Sequence, residues 1–167
     1  MAHNDMGIAL ESQNRIGDAI AHYRETLRIK PNYAPAEDNL GLALLKSGNL
    51  QESQAHFLKA ILLKPDFWEP HNNLGTVLAN EGNDQEAIRH FEAALQINPH
   101  ISEAHNNLAL LLEKYGRYEE ALNHLNQALN DPANRHNVHN NIGSVFLDMG
   151  KRDEAATHFR QALELQP

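Results

Sequence analysis

The chain has 167 residues, with 22 acidic against 14 basic side chains, a formal net charge of −8 and no cysteine. This balance argues against a protein that grips nucleic-acid phosphates, and the missing cysteines exclude disulfide stapling and thiol chemistry. No apolar run reaches membrane-spanning length, and the first residues lack the basic and apolar regions of a secretory leader, so neither membrane insertion nor export is expected and a cytoplasmic location is the working expectation.

Taken in chain order, residues 1–33 set a pattern that the rest repeats. Met6, Gly7 and Leu10 lie in a stripe at helical spacing, Asn14 marks a turn, Ala19, Tyr23 and Thr26 mark a second stripe, and Pro31 closes it. Residues 34–67 repeat this with Leu40, Gly41, Leu44, Gly48, Ser53, Phe57, Ala60 and Pro65. Residues 68–101 are the most regular: Leu74, Gly75, Leu78, Gly82, Ala87, Phe91, Ala94 and Pro99, opened by the bulky pair Phe67 and Trp68. Residues 102–135 carry Leu108, Ala109, Leu112, Gly116, Ala121, Leu125 and Ala128, but Pro132 arrives one position early and Asp131 stands where Ile29, Leu63, Ile97 and Leu165 stand elsewhere. Residues 136–167 end the series with Ile142, Gly143, Phe146, Gly150, Ala155, Phe159, Ala162 and Pro167.

Gly7, Gly41, Gly75, Ala109 and Gly143 therefore recur every 34 residues, which predicts five helix-turn-helix units in one array spanning 1–167. A small residue at that position lets the second helix of each unit come close. Asn14, Gly48, Gly82, Gly116 and Gly150 fall between the helices, where a left-handed backbone is expected. One hairpin cannot bury its apolar face alone, so stacked units share a continuous core in an all-α solenoid. In the fourth unit the second helix is expected to end early, losing one apolar contact to the fifth and softening that junction. Both ends look cut, with helical pattern directly after Met1 and a closing proline at Pro167. The uncovered flank with Ala156, Phe159 and Leu163 is expected to favour self-association through uncapped terminal helices.

The residues at Leu74, Gly75, Leu78, Gly82, Ala87, Phe91, Ala94 and Pro99, and their counterparts in the other units, resemble the tetratricopeptide repeat (TPR) signature, with His71 where an aromatic is usual. The resemblance implies a right-handed superhelical solenoid whose first helices line a concave groove. Carried onto this chain, it makes Asn39, Asn72, Asn73, Thr76, Asn80, Asn106, Asn107, Glu113, Asn140, Asn141 and Ser144 the candidate groove. Asn39, Asn73, Asn107 and Asn141 share one position, with Asp5 in the first unit. An amide offers two donors and an acceptor and so matches a peptide backbone. The column resembles the asparagine ladder of the O-linked N-acetylglucosamine transferases. The structural alternative is that each Asn bonds a neighbouring helix, and both roles can coexist.

A second family mode clamps a terminal carboxylate with Lys, Asn, Asn, Lys and Arg at fixed positions. This chain places Asn4, Ile8, Asn39, Glu69 and Asn73 there, so only the second Asn of that set, here Asn39, matches. Moving along by one unit gives Asp38, Leu42, Asn73, Glu103 and Asn107, which also lacks the bases. A neutral to basic peptide is the better electrostatic match.

His3, His71, His105 and His139 form one column and His22, His56, His90, His124 and His158 another. Successive members of a column are on the order of 10 Å apart in a helix stack, too far to share a metal at roughly 2 Å per ligand. The first column is expected to pack, half-buried, in the family's aromatic position. The second is expected on the back face or between units. No catalytic motif, metal site or cofactor site is expected. The leading reading is a protein-binding scaffold. The alternatives are a substrate-recruiting or regulatory segment of a larger enzyme such as a glycosyltransferase, and a self-assembling module.

Overall fold

The structure, a computed structural model, describes residues 2–165, so Met1 and the closing Pro167 lie outside the described residues. Ten α-helices are present among them: α1 Ala2–Ser12, α2 Ile16–Ile29, α3 Ala34–Lys46, α4 Leu50–Leu63, α5 Trp68–Asn80, α6 Asp84–Ile97, α7 Ser102–Lys114, α8 Tyr118–Ala128, α9 Arg135–Asp148 and α10 Arg152–Glu164. A single 3-10 turn covers Pro132–Asn134, and there is no strand among the described residues.

The helices gather into two compact units, Met1–Asn83 and Asp84–Pro167. In the first, α1 pairs with α2 and α3 with α4; α2 then packs on α3 and α4 on α5. Its centre is Leu10, Ala19, Tyr23, Leu40, Ala43 and Leu44, with Ile16, Ile20 and Leu27 against them. In the second, α7 pairs with α8 and α9 with α10, while α6 packs on α7 and α8 on α9. Ala104, Leu108, Leu112, Ala121, Leu125, Val138, Ile142 and Val145 are buried there.

Backbone geometry explains the small residues. A methyl group added at Gly41 would stand 2.7 Å from the Phe57 ring, and one at Gly143 would stand 2.6 Å from the Phe159 ring. Gly7 faces the ring of Tyr23 in the same way. Where Ala109 replaces glycine, Leu125 replaces the ring, and both are buried. The turn positions adopt the expected left-handed backbone, with φ of 59° at Asn14 and 83° at Gly48. They let the chain reverse within a few residues between the two helices of each hairpin.

The fourth repeat departs from its neighbours as expected. Its second helix, α8, has 11 residues where α2, α4 and α6 have 14. Pro132 opens the 3-10 turn, and the Asp131 carboxylate accepts bonds from the Ala133 backbone N–H at 3.0 Å and the Asn134 amide at 2.6 Å. An acid at position 131 is thus the cap of the turn rather than a failed core residue.

Candidate functional site

The odd-numbered helices present the candidate groove residues, and one hydrogen-bond pattern orders them. The Asn39 amide donates to Asn4 Oδ1 at 3.1 Å, Asn73 donates to Asp38 Oδ1 at 3.0 Å, and Asn141 donates to Asn106 Oδ1 at 2.7 Å. Each bond joins consecutive first helices. Asn39, Asn73 and Asn141 are therefore fastenings between repeats, the role the structural alternative gave them. One N–H of each donating amide serves that purpose, and an amide has a second N–H and a carbonyl.

The partner column, Asn4, Asp38, Asn72, Asn106 and Asn140, is less open than its periodicity implied. Asn72 is only 2 % exposed and Asp38 6 %, whereas Asn106 is half-buried and Asn140 exposed. Asn72 thus offers a ligand little surface. Among the other candidates, Asn80 is exposed, while Asn107, Glu113 and Ser144 are half-buried. The Thr76 hydroxyl donates to the Asn72 carbonyl at 3.1 Å. The structure brings Asn106 together with Asn141, and Asn39 with Asn4, in separate units.

Asp38 differs from the asparagines at its position in being able to ionise. Burial pushes its carboxyl up to about 7, the Asn73 hydrogen bond works against this, and Glu69 adds to it by repulsion. Glu11, in the last turn of α1, accepts from Tyr23 Oη at 2.5 Å and from Lys46 Nζ at 2.9 Å. In the second unit Lys114 and Tyr115 both bond Asp84 Oδ2, Tyr115 at 2.9 Å.

The histidine columns are corrected by the structure. The second column was expected on the back face or between units, but His22, His124 and His158 each pair with a first-column histidine inside a hairpin. Nδ1 of His3 lies 2.9 Å from Nδ1 of His22, His105 lies 2.8 Å from His124, and His139 lies 3.1 Å from His158. His105 Nε2 is 3.1 Å from the Pro99 carbonyl, which can only accept. His105 therefore carries its proton on Nε2, and His124 Nδ1–H donates to the bare His105 Nδ1. In the second repeat Glu37 takes the first position: it is fully buried, with His56 Nδ1 and Lys59 Nζ each 2.5 Å from one of its oxygens. The recurring separation of 19 residues between columns was the signal in the sequence.

A cavity opens between α7 and α9, lined by Ser102, Glu103, Asn106, Asn134, Asn137 and Val138. Among the described residues, no group of three or more acidic or histidine side chains is placed to hold a metal ion. Among the described residues no helix is long and apolar enough to cross a membrane.

Family models described as tetratricopeptide repeat match residues 38–67, 69–131 and 136–167. The chain belongs to the tetratricopeptide repeat family. Among solved TPR folds, the crystal structure of MamA superposes with a TM-score of 0.83 at 23 % identity, covering 95 % of this chain and 93 % of that one. MamA from Desulfovibrio magneticus RS-1 gives 0.85 at 20 % identity, covering 98 % and 93 %. YrrB, described as a TPR protein with an unusual peptide-binding site, gives 0.78 at 22 % identity, covering 99 % and 85 %. No curated protein sequence matches the chain. These likenesses establish an all-helical TPR solenoid fold; the chemistry of the groove rests on this chain's own residues.

Proposed function

We propose that this TPR protein is a non-enzymatic scaffold that holds an extended segment of a partner protein along the first-helix faces of its repeats. The observation that carries the reading is the fixed amide column. Asn39, Asn73 and Asn141 are each held by a neighbouring Asn or Asp. A held amide loses little rotamer entropy on binding, and its remaining donor and acceptor fit a peptide backbone. Asn80 adds to the polar face in the first unit, and Asn107, Asn140 and Ser144 add to it in the second. The family's role as an interaction module and the peptide site named for YrrB agree with this use.

The test is selection of 12-residue random peptides on the whole protein, followed by calorimetry with the best binder. S144R and N80R place bulk on the first-helix faces without removing a fastening bond. At least one of them is expected to weaken binding about tenfold or more. N126R, on exposed α8, is the control and is expected to bind normally. Loss of binding only in N126R, or no selected peptide at all, overturns the reading.

A further inference from the structure

We infer that the cavity between α7 and α9 is an arginine subsite, taking one guanidinium and the backbone carbonyl of the same residue in a bound segment. It rests on the reading that partner segments lie along the first-helix faces.

The hydrogen bonds around the cavity determine what its walls present. Asn134 donates one amide N–H to Asp131, which fixes the side chain and leaves its carbonyl oxygen, beside the second N–H, to meet a ligand. Asn106 has its carbonyl oxygen occupied by Asn141, so it presents N–H donors. Glu103 supplies the only charge among the lining residues, and Val138 forms a buried apolar floor. A neighbouring depression is lined by His100, Ile101, Ser102, Glu103, Asn130, Asp131, Pro132 and Asn134 and also lacks Lys and Arg. The nearest cation in sequence, Arg135, uses its Nε to bond the Leu129 carbonyl.

The cavity thus pairs two acceptors, the Glu103 carboxylate and the Asn134 carbonyl, with the Asn106 donor. A guanidinium has planar donors that can reach both acceptors at once, and charge-assisted bonds to the carboxylate are the strong ones. An ammonium is a point charge and uses the second acceptor less well. The Asn106 N–H then takes the carbonyl of the same peptide residue. In the fourth repeat this combination arises because the early Pro132 turns Asn134 back onto its Asp131 cap.

The probe is N-acetyl-L-arginine methylamide, titrated into the labelled whole protein and followed by proton–nitrogen NMR. Saturable shifts are expected at the backbone amides of residues 102–106 and 134–138 and at the Asn106 side chain. The citrulline analogue, which keeps the shape and loses the charge, is expected to bind at least about tenfold more weakly, and E103Q is expected to weaken the arginine probe by a similar factor. Glu103 is exposed, so the variant keeps its fold, which unshifted amides of α8 and α10 in the same unit check. Equal binding of the citrulline or lysine analogue, full binding in E103Q, or no localised shifts overturns the arginine subsite. Peptides selected on the protein that bind the first-helix faces without any arginine would overturn it too, while leaving the scaffold reading standing.

Discussion

At the scale of single residues, packing is set by matched sizes across each hairpin. Gly41 faces the Phe57 ring so closely that a methyl group would overlap it. G41A is therefore expected to cost on the order of 1–3 kcal/mol in denaturant unfolding. In the fourth repeat Ala109 and Leu125 fill the same two positions. L125F alone is expected to destabilise by a similar amount, and A109G with L125F to recover most of the loss, a coupling that a double-mutant cycle measures. Asp38 is a second residue-scale test. Its folded carboxyl sits near 7 against an ordinary 3.8, so the stability it contributes is full below about 3.8 and is lost as pH rises to about 7. D38N keeps the acceptor for Asn73 and matches the asparagines of the other repeats. It is expected to stabilise by on the order of 2 kcal/mol at pH 8, with the gain vanishing below about pH 4. A gain that is independent of pH would show that the charge of Asp38 is not what costs stability.

At the scale of elements, the two helices of a hairpin are tied by histidine pairs. Burial holds His124, His139 and His158 below the usual imidazole value, with His105 adding to the effect on His124 and His139 to that on His158. Arg117 also lowers His124, Glu120 opposes, and Arg135 lowers His139. Phe146 stacks on His158, with ring centroids 5.5 Å apart. A Nδ1–Nδ1 bond survives one proton per pair, but a second sets N–H against N–H. With folded values depressed, stability is complete above the ordinary 6.5 and falls as pH drops through it. Asp38 titrates with the opposite sign over the same range, so the thermal midpoint is best followed in the D38N background. It is expected to fall between about pH 7 and pH 5.5, and less steeply in a variant carrying H124Q and H158Q. A flat profile in the D38N protein would remove the pairs as pH-sensitive fastenings.

At the scale of the whole molecule, the repeat period organises the chain, and its charge sets how partners approach. A net charge of −8, with the exposed Glu103 as the acidic side chain lining the cavity, favours cationic partners. A peptide containing arginine is expected to lose affinity severalfold between about 50 and 300 mM salt, while a neutral one of equal length changes little. The fold was legible early because the period recurs in every unit: family models match residues 38–67, 69–131 and 136–167 without using the structure. The early end of α8 was legible too, since proline cannot continue a helix. The candidate site was legible only as a list of positions. Asn72 was placed on the groove by its period, yet the structure buries it.

What the sequence by itself determined is therefore what depends on local geometry: helix stripes, the left-handed turns at Asn14 and Gly48, the small residues opposite rings, and the capped break at Asp131. Tertiary structure alone decided which polar groups meet. The His105–His124 pair, the Asn73–Asp38 bond and the cavity between α7 and α9 each join residues from different helices. Their donors and acceptors are fixed by distances of about 3 Å that a 34-residue period does not encode. An amide's surface role is settled only when its neighbour is in place, because a bond made inside the fold removes a donor or an acceptor from what a ligand can meet.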